Sequence, residues 1–256
     1  MVARALLDEL TFGAVSRRER PVASHIPYTR HVDDHVVRTR DGLVMIFLKL
    51  EGYSFETADI SEINSRLLAR NDIVRTLANS RFALVGHVIR REVKPHIAST
   101  FDNALCREID TRYDAALSKR RMFVNELYVT VVRRPLQGQA GTFDAILTKI
   151  LGRKDQAGES VAVQTALTEL RDAATAVREN LAAYGARQLG VVRRDGVWFS
   201  EPLEFLVQLV NGGLPRPMHL PRMALADALA QKRIFFGKNA VEIRGEQVIR
   251  DLHLYG

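Results

Sequence analysis

An α+β protein is expected, with a mixed sheet, strand-helix-strand crossovers, flanking β-hairpins and one long helix. Three observations carry this expectation. Apolar runs of strand length alternate with longer segments in which apolar residues recur every three or four positions. Two Asp-Gly pairs, Asp41-Gly42 and Asp195-Gly196, separate strand-like runs and mark hairpins at both ends of the main sheet. One periodic segment, from about Glu159 to Arg187, extends about 40 Å as a helix, enough to cross a domain.

The elements follow in chain order. Residues 1–26 read as an exposed N-terminal arm: a short amphipathic piece and then SRRERP, a basic stretch suited to tethering or simply to solvation. PYTRHVDDHVVRTRDG, Pro27 to Gly42, raises a sharper question, because His31 and His35 bracket Asp33 and Asp34. On a helix the two histidines would share a face and could hold zinc, with the aspartates adding oxygen ligands. The flanking Val36-Val37 and Asp41-Gly42 instead favour a strand, a tight turn and a second strand, which sets the histidines about 13 Å apart. No metal ligand is therefore assigned, and a polar edge strand facing water is expected here. The second strand, LVMIFLKL, is apolar on both faces and so belongs inside its sheet.

Asp59 opens a helix, with Glu62 three residues on as in a capping box and Ile63, Leu67, Val74 and Leu77 at helical spacing. The strand FALVGHVIRR follows. A helix from near Ser99 carries Phe101, Leu105, Ile109 and Leu117 on one stripe and leads into MFVNELYVTVVRR. LQGQAGTF is a glycine-containing loop and FDAILTKILG a short helix. Past the long helix come the hairpin LGVVRRDGVWFS and the helix EPLEFLVQLV, with Pro202 in its first turn and Gly212-Gly213 after its end. GLPRPMHLP is a proline-rich connector and the expected subdomain boundary, so residues 27–213 read as one α+β domain and 214–256 as a β-rich segment of three short strands. The last residues stop within an apolar alternation, which reads as a chain continuing into something longer.

The bulk numbers bound the function. With 256 residues, 46% hydrophobic and 26% charged, the chain has the composition of an ordinary globular protein. The N-terminus MVARALLDEL lacks the apolar core of a secretory signal. The longest apolar run, Leu43 to Leu48, is far short of the roughly 20 residues of a spanning helix. Cys106 is the single cysteine, so no internal disulfide forms; beside Leu105 and Ile109 it reads as a buried structural thiol. Trp198 and Phe199, on a short strand, read as core. A net charge of +7 fits an acidic partner such as nucleic acid, anionic lipid or an acidic protein face.

Catalytic strings are not found. A phosphate-binding loop needs G-x-x-x-x-G-K-[ST]; GRKDQAGES has the wrong spacing, FFGKNA lacks the upstream glycine, and GQAGTF lacks the lysine. No catalytic or cofactor-binding residue is assigned. The candidate surface is basic. Single helical crossovers make the strands near 43–51, 82–91 and 122–134 parallel, which gathers Arg90, Arg91, Arg133 and Arg134 along one rim as a partner-binding site. A third Val-Val-Arg-Arg, at 191–194, repeats the signature.

PYTRHVDDHVVRTRDG, EGYSFETAD, RRMFVNELYVTVVRRP and KRIFFGKNAVEIRG, in that order, resemble the N-terminal part of the type IV secretion ATPases of the CagE/TrbE/VirB family over roughly residues 20 to 256. The resemblance implies a bacterial ATPase, peripheral on the cytoplasmic face of the inner membrane, that energises pilus assembly, conjugation and transfer of protein or DNA–protein substrates. It implies self-association into a hexameric ring and contact with inner-membrane secretion components. ATP and Mg are implied only for a RecA-like motor domain that follows this region in the family and is absent here. The region itself is expected to be a non-catalytic assembly and docking domain. The alternative is a nucleic-acid-binding module that uses the arginine rim.

Overall fold

The structure, a computed structural model, describes residues 21–54, 56, 58–77, 81–93, 100–134, 157–236, 240–243 and 247–250. Residues 1–20 of the expected arm, the 136–143 loop, the 143–152 helix and Gly237-Lys238 lie outside them. The fold is α+β, with helices and antiparallel sheets, and the chain packs as two compact units. One gathers Met1–Ile46, Val132–Arg171 and Leu189–Gly256; the other gathers Phe47–Val131 and Asp172–Gln188.

In the first unit, β1 (Tyr28–His31) pairs antiparallel with β2 (Val37–Thr39), and β2 with the start of β3 (Val44–Leu50). The Asp-Gly turn forms as expected, because Gly42 adopts φ 79°, which a side chain would resist. The expected polar, water-facing strand is corrected. All three residues of β2 are buried, Arg38 at 1% exposure among them, and β1 is half-buried. Val36, Val37, Val44 and Ile46 drive this, since their apolar area is larger than a polar edge would expose.

The long helix, α3 in the sequence of helices, begins at Ala157 and ends at Asn180, earlier than Arg187. A 3-10 turn at Ala182–Tyr184 and Gly185 at φ 65° stop it, leaving Arg187–Gln188 free to form the short strand β6. Its Val163, Ala166, Leu167 and Leu170 are buried in the first unit. The hairpin β7 (Val191–Arg194) and β8 (Val197–Ser200) turns through Asp195 and Gly196, both at positive φ. Helix α4 (Glu201–Asn211) starts on Ser200, whose side chain accepts from the Leu203 amide, carries Pro202 in its first turn, and ends at Gly212. The connector runs back beside β8 through an antiparallel bridge, Phe199 to His219, and reaches the short helix α5 (Leu225–Leu229). Asn211, buried on α4, donates to the Leu229 carbonyl and so pins α5. The tail strands β9 (Ile234–Phe236), β10 (Ala240–Ile243) and β11 (Gln247–Arg250) form an antiparallel sheet, as expected.

In the second unit β3 lies between β6 and β5 (Met122–Arg133), so its internal position holds, and β4 (Phe82–Val93) lies beyond β5. Helix α1 (Ile60–Thr76) precedes β4, and α2 (Ala104–Leu117) joins β4 to β5. The capping box on α1 does not form. Asp59 makes no side-chain cap, and Glu62 reaches Arg66 at 2.8 Å instead. The start near Ser99 is corrected to Ala104, with Asn103 as the cap that accepts from the Leu105 amide.

The parallel arrangement is overturned for β4 and β5. His87 meets Thr130 at 2.9 Å and Arg91 meets Glu126 at 2.9 Å, so one strand ascends while its neighbour descends. A parallel return would require the crossover to travel back along the strand. Helix α2, with 14 residues, rises only about 21 Å, against roughly 40 Å for the 12 residues of β4.

Candidate interaction surface

The HVDDH segment is a turn in which the His31, Asp33 and His35 side chains all have protein partners. Asp33 Oδ1 accepts from the amides of His35 and Val36, both at 2.8 Å, and Oδ2 accepts from Arg171 at 2.5 Å. Burial pushes the Asp33 carboxyl up, but Arg171 and the two amides outweigh it and hold it below the usual carboxylate range. His31 bridges its Nε2 to Ser200 Oγ at 2.9 Å and its Nδ1 to the Asp33 carbonyl at 3.2 Å. A neutral ring satisfies both: Nδ1–H donates to the carbonyl, and Nε2 accepts the hydroxyl proton while Oγ caps Leu203. Burial lowers the His31 pKa, against the upward pull of the Asp33 carbonyl and of Asp33 and Asp34. The segment thus ties β1 to the start of α4.

His35 closes the same turn, its Nδ1 3.0 Å from the Leu189 carbonyl. Gly190 makes room for the ring, since a Cβ there would lie 2.4 Å from His35 Cε1. Gly190→Ala should therefore swing the ring into solvent and cost about 1 kcal/mol in denaturant unfolding. In a His35→Ala background the same change should cost much less, a non-additivity that would be missing if Gly190 served only backbone freedom.

The four arginines do not form one rim. Arg91 is paired with Glu126, Arg90 lies over the Phe123 ring at 4.4 Å, and Arg133, nearly buried, pairs with Glu169 at 2.9 Å. Arg134 is exposed. Since β4 and β5 are antiparallel, Arg91 sits opposite Glu126, seven residues before Arg133 on the same strand.

Two other features stand in the second unit. One is a clamp on α1: the Arg66 guanidinium lies 3.5 Å from the Tyr53 ring centroid and donates to Glu62 and to the Ala183 carbonyl at 2.7 Å. The other is an outward apolar stripe. Leu105, Ile109 and Tyr113, at successive i+4 positions of α2, are 63%, 58% and 56% exposed, and α2 has no buried residue. Ile60, Leu68 and Val74 on α1 are exposed as well. Cys106, expected in a core, is half-buried because the stripe beside it faces outward. The spacing was legible; its direction was not.

Three of the described helix starts carry acidic or already engaged side chains. Asp59 precedes α1, Glu201 and Glu204 occupy the first turn of α4, and the Asn103 side chain at α2 is engaged with Leu105 N. Carboxylates at two of these ends repel a phosphate that a helix N-terminus would otherwise attract.

Residues 35–140 match the N-terminal domain of the type IV secretion system ATPase VirB4/TrbE, and residues 187–248 match the CagE, TrbE, VirB family, a component of the type IV transporter system. A type IV secretion system protein virB4 of Bartonella quintana (strain Toulouse) is 31% identical over 246 residues, covering 95% of this chain and 31% of the relative. The virB4 of Brucella suis biovar 1 (strain 1330) is 29% identical over 91% of this chain and 28% of its own length. The virB4 protein of Agrobacterium tumefaciens (strain 15955) is 27% identical over 91% of this chain and 29% of its own length. The chain belongs to the VirB4 type IV secretion ATPase family and corresponds to its N-terminal region. It spans about three-tenths of the length of the curated relatives it matches.

Proposed function

We propose that this region is the assembly and docking part of a type IV secretion ATPase, self-associating in a hexameric ring and contacting inner-membrane secretion components. In this reading the whole protein powers pilus assembly, conjugation and transfer of protein or DNA–protein substrates from the cytoplasmic face of the bacterial inner membrane. ATP and Mg would act in a motor domain outside these residues. Among the described residues no helix is long and apolar enough to cross a membrane, so a peripheral attachment is proposed.

The observation that carries the reading is the α2 stripe. Three large apolar side chains on one exposed helix face leave apolar area that a partner would cover with gain. Flotation of the 256-residue chain with inner-membrane vesicles, with and without the other secretion components, tests it. Component-dependent binding should fall at least about tenfold in Leu105→Asp/Ile109→Asp, because apolar anchors dominate such contacts. Unfolding free energy should change by about 0.5 kcal/mol or less per exposed site. Binding unchanged by the double variant would sink the reading. Affinity for DNA falling steeply with salt would favour the nucleic-acid alternative, whereas an apolar dock depends on salt weakly.

A further inference from the structure

A separate surface lies on the first unit, around the β7–β8 hairpin. Its inter-strand register places Arg193 opposite Trp198, so both side chains leave the same face. The antiparallel bridge between Phe199 and His219 on the other edge of β8 places Leu220 opposite Trp198 by the same alternation. A row Arg193–Trp198–Leu220 results. Trp198 is 54% exposed, which corrects the expectation that it packs in the core; the half-buried Phe199 faces the other side and lies 4.4 Å from the His219 ring. The Arg193 guanidinium stays 5.8 Å from the indole centroid. Met223 and Leu214, on the connector, are exposed too. Arg193 and Arg222 are exposed and have no ion pair among the described residues, whereas Arg194, on the opposite face, is engaged by Glu204 at 2.7 Å. Asp195, exposed at the hairpin tip, is acidic.

We propose that this hairpin and the connector beside it are a peripheral contact for an anionic bilayer surface: Trp198, Leu220 and Met223 enter the headgroup boundary while Arg193 and Arg222 pair with lipid phosphates. An indole with aliphatic neighbours and flanking guanidiniums is the composition that settles at a membrane interface. A single-stranded nucleic acid would instead use successive aromatic platforms, and Leu220 and Met223 offer no stacking face. The contact needs no protein component, so it stands or falls independently of the α2 stripe.

The chain has a single tryptophan, so its emission reports this hairpin alone. Mixed with protein-free vesicles of phosphatidylglycerol and phosphatidylethanolamine, the 256-residue chain should show a blue-shifted emission that brominated acyl chains quench. Neutral phosphatidylcholine vesicles should give much less. Arg193→Glu/Arg222→Glu should weaken partitioning by about 30-fold or more, since each basic residue at an anionic surface is worth roughly a fivefold effect. Arg193→Lys/Arg222→Lys should stay close to the parent, and Trp198→Ala should weaken flotation. No partitioning, partitioning without a shift in emission, equal partitioning to neutral lipid, or a shift produced by an oligonucleotide and not by vesicles would each overturn the proposal.

Discussion

Asp33→Ala is expected to lower the unfolding free energy by about 3 kcal/mol at neutral pH. The change strips a partner from the amides of His35 and Val36, and Val36 is fully buried, so water does not replace the carboxylate there. An unsatisfied buried donor costs about 1–3 kcal/mol and a second lost bond about 1 kcal/mol. The Arg171 pair adds little, because that side chain is 46% exposed. Asp33→Asn keeps an oxygen for the two amides and should cost about 1 kcal/mol.

The pH dependence has two windows with one sign. The folded Asp33 carboxyl has a depressed pKa, so its contribution is complete above about pH 4, the ordinary carboxylate range, and is lost as pH falls through the folded value. His31 is also depressed, by burial; the folded state takes up its proton less readily than the unfolded chain, so stability declines as pH falls below about 6.5. His87, in the second unit, is lowered by burial and adds to that first decline. Denaturant unfolding across pH should therefore show a shallow loss and then a second one. Asp33→Asn should flatten the second, and His31→Gln should reduce the first. An Asp33→Ala midpoint equal to that of the parent would refute the role given to Asp33 in holding this turn.

Leu203→Ala is expected to cost about 3–4 kcal/mol, measured by thermal or denaturant unfolding. Leu203 is completely buried on α4, and truncation removes both its transfer energy and the packing of the space it fills. Set against a total stability of about 5–15 kcal/mol, such a loss would leave much of the chain unfolded at moderate temperature. Leu203→Met, which nearly conserves volume, should stay within about 1.5 kcal/mol. Equal losses from the two variants would mean that shape, not the missing volume, sets the stability of α4.

Much of the secondary structure was legible. The turn between β2 and β3 follows from Asp41-Gly42, the limits of α4 from Pro202 and Gly212, and the tail strands from their alternation. Each depends on dihedral preferences or caps within a few residues. The candidate site was legible only in part. The stripe Leu105–Ile109 could be read from its spacing, but periodicity fixes that residues share a face and says nothing of what covers it. The crossover direction does not follow from the order strand, helix, strand, because a helix between two strands does not by itself carry the chain back; α2 is too short for that.

The arginine pairs show where that boundary falls. Strand patterning in the chain puts an adjacent arginine pair at or near the end of each of three strands, a local property. Tertiary structure alone decided their roles: Arg91 and Arg133 meet Glu126 and Glu169, Arg194 meets Glu204, and Arg193 remains exposed beside Trp198. Each partner lies on another element, or ten or more residues away, so which charge is neutralised depends on where the fold brings the carboxylates, a long-range outcome that strand propensity and charge pattern do not encode.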